Sequence, residues 1–117
     1  MTVLYGIPNC DTVKKARAWL AEAGVAVDFV DFKKTPPDEA QIRGWLAQIP
    51  LAVLLNRRGT TWRKLNSEEQ AAADHPQTAA ALMAAHSSLI RRPVLQTADG
   101  RLHAGFDAET YRQLLGL

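Results

Sequence analysis

Cys10 is the one residue in this 117-residue chain whose type and setting point to covalent chemistry. It follows Ile7-Pro8-Asn9, a turn signal, and precedes a helical pattern that begins at Asp11. A sulfur at the start of a helix meets unpaired backbone amides and the positive end of the helix dipole. Both favour thiolate over thiol, and the thiolate is the nucleophilic form. Lys14, one turn on and on the same face, acts in the same direction, while Asp11 opposes it. A lone cysteine is most often a small buried hydrophobe; the place of Cys10 between strand and helix favours the nucleophile. His75, His86 and His103 show no metal-ligand spacing, and His86, on an apolar helical face, reads as a core histidine. No glycine-rich phosphate loop is present.

The surrounding pattern indicates what positions Cys10. Thr2 to Gly6 is short, β-branched and aromatic, as a strand requires. Val13, Ala16, Leu20 and Ala23 recur at helical spacing, with Gly24 as the stop. Val25 to Phe32 alternates as a second strand, parallel to the first across the helix. Thr35-Pro36-Pro37-Asp38 opens a second helix, with Thr35 as cap, Pro36 at the first helical position and Asp38 as the capping acid; its buried stripe is Ile42, Trp45, Leu46 and Ile49. Leu51 to Leu55 is a further helical piece, and another helix starts near Pro76 with Ala79, Leu82, Met83 and His86 on one face. Pro93 to Thr97 and Arg101 to Phe106 flank Asp99-Gly100 as a hairpin. Asp107 caps a last helix, with Phe106 stapled against Tyr111. The order is β-α-β, a helical insertion at about residues 36–90, then β-β-α. It predicts an α/β, thioredoxin-like fold in one domain spanning 1–117, with a four-stranded mixed sheet.

In such a fold the residues before the third strand abut the nucleophile. There the sequence has Arg91-Arg92-Pro93, and proline is the residue that tolerates a cis bond cheaply. Pro93 is therefore expected in cis, with Arg92 offering a fork of donors to a carboxylate or oxyanion beside Cys10. Arg57 and Arg58, on the loop Asn56-Arg57-Arg58-Gly59 ahead of Arg63 and Lys64, are expected to close over the same cleft. Asn9 and Lys14 complete the candidate binding residues.

Fourteen Lys and Arg against 12 Asp and Glu leave a net charge of +2, in scattered pairs. That is too small by itself to predict a nucleic-acid or membrane surface. A single cysteine excludes an internal disulfide and favours a reducing compartment. The N-terminus reads as a strand, without the features of a signal peptide. No apolar run approaches the roughly 18 residues of a membrane span. Cytoplasm is the expected location.

Three segments carry a family resemblance. They are Tyr5-Gly6-Ile7-Pro8-Asn9-Cys10-Asp11-Thr12-Val13-Lys14-Lys15-Ala16, the stretch from Leu54 to Leu65, and Ile90-Arg91-Arg92-Pro93-Val94-Leu95; Gly105-Phe106-Asp107 is similar too. They resemble the arsenate reductase (ArsC), Spx and YffB family, and the middle block resembles the YffB branch. The resemblance implies a thioredoxin-like fold with a helical insertion and a redox nucleophile at Cys10. Glutathione, as co-substrate and not a bound cofactor, is then the implied reductant, with glutaredoxin as a partner. Arsenate reductases of this family clamp the oxyanion with three arginines. One matches Arg92, another falls at Asn56 beside Arg57, and the third falls near the uncharged Ala104. Losing two of three cations weakens the case for arsenate. Spx-type regulators bind RNA polymerase and carry a Cys-x-x-Cys switch, but Val13 occupies the second position here. A monothiol reductase is the first expectation; polymerase docking without turnover and arsenate reduction are the alternatives.

Overall fold

The computed structural model describes all residues, Met1–Leu117. Its elements begin with β1 (Thr2–Gly6), α1 (Asp11–Glu22) and β2 (Val27–Asp31). Five helices follow: α2 (Glu39–Leu46), α3 (Leu51–Leu54), α4 (Thr60–Lys64), α5 (Ser67–Ala71) and α6 (Pro76–Ala85). The chain closes with β3 (Val94–Gln96), β4 (Leu102–Ala104) and α7 (Ala108–Leu115). Two compact units result, one of residues 1–35 with 92–117 and the other of residues 36–91.

The first unit holds the sheet, ordered β2-β1-β3-β4. The α1 crossover makes β1 and β2 parallel, while β3 and β4 run antiparallel as a hairpin. Leu4 sits at the centre, paired with Phe29 on one side and Leu95 on the other. Leu4, Ala16, Leu20, Leu95 and Tyr111 form the core, each at most 2% exposed. Asp107 caps α7, accepting from the Thr110 amide at 3.2 Å, and the Phe106 ring meets Tyr111 edge-on at 5.0 Å, a hydrophobic staple.

The hairpin tip is a polar clasp. Gly100 takes φ of +86°, a region open to glycine without a Cβ penalty. The Thr97 hydroxyl donates to the Asp99 carboxylate, and Arg101 reaches Asp99 at 3.0 Å and the Leu114 carbonyl at 2.7 Å. The Thr97 hydroxyl, and after it Arg101, hold the Asp99 carboxyl below its ordinary 3.8. The Thr110 hydroxyl and amide do the same for Asp107. Carboxyls lowered in the native state stabilise it above their unfolded pKa, and that contribution is lost as pH falls through the lowered values. The urea midpoint should therefore drop below pH 4 in the wild type, and drop less steeply in the double variant Asp99→Asn, Asp107→Asn.

The second unit is helical. Its apolar residues Ile42, Trp45, Ile49, Leu54, Ala79 and Met83 are all under 5% exposed. An isolated antiparallel bridge pairs Leu55 with Ile90, and around it the Asn56 amide donates to Leu89 and the Arg91 amide to Leu54, each at 2.7 Å. The second helix begins later than the sequence pattern suggested. Asp38 caps it, accepting from the Gln41 amide at 2.8 Å, and the Thr35 side chain is not the cap. Pro37 disfavours helical backbone at Pro36, so the helix starts beyond the proline pair. α4 and α5 follow the expected loop Asn56–Gly59, in a stretch where the sequence pattern indicates no element. Asn66 and Glu69 form a reciprocal capping box at the start of α5, a signal present in the sequence as Asn-x-x-Glu. His86 ends α6 at its C-cap and is no core residue: it is 37% exposed and lies 3.5 Å from Glu69.

Candidate active site

β1 delivers the chain to the site. The Gly6 carbonyl accepts from the Phe32 amide at 2.8 Å, which carries the parallel pairing past the end of the strand. The chain then turns through Ile7-Pro8-Asn9, with the Cys10 amide directed at the Ile7 carbonyl at 3.4 Å. Cys10 is the N-cap of α1, in extended backbone (φ −96°, ψ 128°), and its carbonyl accepts the first helical bond, from Lys14, at 2.9 Å. A serine or aspartate in this position ordinarily engages the amides of the first turn. The Cys10 side chain makes no such capping bond, is a free thiol and is partly exposed.

The turn depends on close contact between Gly6 and α1. A Cβ added at Gly6 would stand 2.8 Å from Val13 Cγ2, and Val13 is fully buried. Val13 is stiff at χ1 and leaves little room to yield. Gly6→Ala should therefore destabilise the protein by about 1–3 kcal/mol, the usual range for overpacking, read as a lower urea midpoint at unchanged slope.

The start of β3 lies at the same end of the sheet. Tyr5 pairs with Val94, so the ladder brings Pro93 toward Gly6, at the sheet end from which the Cys10 turn leaves. The Arg92–Pro93 peptide is cis. Pro93 is buried and Arg92 half-buried. No carboxylate pairs with the Arg92 guanidinium. The Pro93 carbonyl accepts from the Gly105 amide at 2.8 Å, and the Gly105 carbonyl accepts from the Tyr111 hydroxyl at 3.2 Å. Tyr111 thus supports the Pro93 segment through one intervening residue. In the sequence Tyr111 reads as an apolar staple only; the partner of its hydroxyl is set by the folded hairpin.

Asn9, Cys10, Lys14, Arg92 and Pro93 all belong to the first unit; Asn9 and Lys14 are exposed. Arg57 and Arg58 belong to the second, on the loop between α3 and α4. There Arg57 donates to the Ala73 carbonyl at 3.3 Å and lies over the Trp62 ring at 5.2 Å. Asn56 binds within its own loop, accepting from the Arg58 amide at 3.0 Å, and Ala104 is a β4 residue paired with Val94. No group of three His, Cys, Asp or Glu side chains is placed to hold a metal ion, and no helix is long and apolar enough to cross a membrane.

A β2-β1-β3-β4 sheet, with a thiol capping the first helix and a helical segment inserted before β3, defines a protein of the thioredoxin-like class. Residues 5–114 match the ArsC family, and the chain belongs to it. It is similar to a protein of known structure named YFFB, with 45% identity and a TM-score of 0.91 across 98% of this chain and 99% of that one. An uncharacterized protein of Haemophilus influenzae is 36% identical over 112 residues, 96% of each chain. An arsenate reductase of Rhizobium meliloti is 30% identical over 96 residues, 80% of this chain and 67% of that one.

Proposed function

We propose that the chain is a glutathione-dependent monothiol reductase with Cys10 as its nucleophile. The Cys10 thiolate attacks the glutathione sulfur of a mixed disulfide, forms a Cys10–glutathione disulfide, and releases the substrate as a thiolate. A second glutathione thiolate then attacks that bond, Cys10 leaves as thiolate, and glutathione disulfide departs. The sum is RSSG plus GSH giving RSH plus GSSG, so a second protein cysteine is not required. Glutaredoxin is the alternative electron donor for the second step. Arg92 holds a glutathione carboxylate by charge-assisted hydrogen bonds, with Asn9 and Lys14 beside it.

The observation that carries this reading is the uncommitted, partly exposed side chain of Cys10 at a helix N-cap. The arsenate reductase relative supports thiol-based reduction. By the family resemblance, Asn56 and Ala104 stand where arsenate reductases carry arginines, which favours a sulfur substrate over arsenate.

The test is an NADPH-coupled assay with glutathione, glutathione reductase and 2-hydroxyethyl disulfide. The protein should accelerate NADPH consumption over the protein-free rate. Arg92→Gln should lower kcat/KM for the mixed disulfide by about 30-fold, the equivalent of about 2 kcal/mol for one charge-assisted bond. A rate equal to the blank would exclude the reading.

A further inference from the structure

Within residues 36–91 a cleft of about 650 Å³ opens beside the Leu55–Ile90 bridge. Arg57, Arg58 and Arg91 line it, with Asp74 as the one acidic residue. None of the three arginines is in an ion pair. Two are braced by backbone carbonyls: Arg57 donates to Ala73 at 3.3 Å, and Arg91 donates through Nε to Val53 at 2.9 Å. Bracing of this kind fixes a guanidinium while leaving other N–H donors free for an anion, and it lowers the entropy lost when the anion binds. The Arg58 side chain makes no contact of this kind, though its amide is held by Asn56.

Leu51 and Leu55 supply an apolar wall. The volume lies in the range of sites for small organic molecules and is far larger than an inorganic oxyanion needs. The four charged side chains sum to +2, which a doubly negative ligand would balance.

We infer that this cleft binds a small organic dianion, an apolar body carrying two carboxylates or one phosphate monoester, gripped by Arg57, Arg58 and Arg91. The inference stands apart from the Cys10 chemistry and does not depend on it.

The test is an amide and indole NMR titration of the full-length protein with phenyl phosphate, phenylsuccinate and, as the comparison, sulfate. The organic dianions should give saturable shifts at Asn56, Arg58 and Arg91, and at the Trp62 indole, over which Arg57 lies. Tighter binding of phenyl phosphate would assign the natural ligand to phosphate monoesters; tighter binding of phenylsuccinate would assign it to dicarboxylates. Arg58→Gln, which removes no internal contact of the side chain, should weaken binding by about tenfold or more. Arg91→Lys should also weaken binding, with the urea midpoint confirming that the fold is intact. No saturable shift with either organic dianion at millimolar concentration would overturn the inference. So would sulfate binding as tightly as the organic ligands, or unaltered binding by Arg58→Gln.

Discussion

Cys10→Ser is expected to abolish disulfide turnover and to prevent formation of a one-glutathione adduct. The chain has a single cysteine, so no other thiol can take over as nucleophile, and a serine hydroxyl does not form the mixed disulfide on which both steps depend. The fold should survive the change. Serine is a favoured N-cap residue, and the position is not fully buried, so the variant should match or slightly exceed the wild type in urea midpoint. The measurement is intact mass after incubation with glutathione disulfide, alongside the coupled assay. The wild type should gain one glutathione and the variant none. Turnover retained in Cys10→Ser would eliminate the thiol mechanism altogether.

Tyr111→Ala should produce the largest loss of stability. Tyr111 is fully buried in the core of the sheet-bearing unit. It meets Trp19 at 5.9 Å, His103 at 5.9 Å and Phe106 at 5.0 Å, each edge-on. Truncating a large aromatic at such a site costs about 3–5 kcal/mol, through lost burial and the cavity left behind. That is a large share of the roughly 5–15 kcal/mol that holds a domain folded. Tyr111→Phe keeps the ring and removes only the bond to Gly105, so it should cost about 1 kcal/mol. Burial pushes the Tyr111 phenol well above its ordinary 10.0. The unfolded chain would therefore release this proton at a pH where the native state retains it. The associated stability is complete below pH 10 and declines as pH rises beyond that. Urea midpoints across alkaline pH should fall less steeply for Tyr111→Phe. Equal slopes would mean that the hydroxyl is not protected by burial as described.

Much of the sheet-bearing unit was legible because local signals there agree with one another. Thr2–Gly6 reads as a strand and forms one, Asp11–Glu22 is helical and ends before Gly24, and Asp107 caps its helix with Phe106 and Tyr111 as the staple. Strand 2 is shorter than its alternating pattern, because pairing with β1 limits it to Val27–Asp31. The insertion was less legible. Its helices α4 and α5 have five residues each, too few for apolar periodicity to show, and only the Asn66–Glu69 box marks the second.

The division follows from the range of the interactions involved. Sequence by itself determined the order of elements in the sheet-bearing unit, the lone sulfur at the head of the first helix and the arginine–proline pair before the third strand. Each is written in neighbouring residues, through turn chemistry, capping preference and side-chain period. Tertiary structure alone decided that Gly6 must lack a side chain because Val13 fills its space, and that the Tyr111 hydroxyl steadies Gly105. It also decided that Arg57 and Arg91 lean on the carbonyls of Ala73 and Val53. Those partners are 16 and 38 residues away along the chain, and contacts at such separations exist only once packing has chosen which surfaces meet.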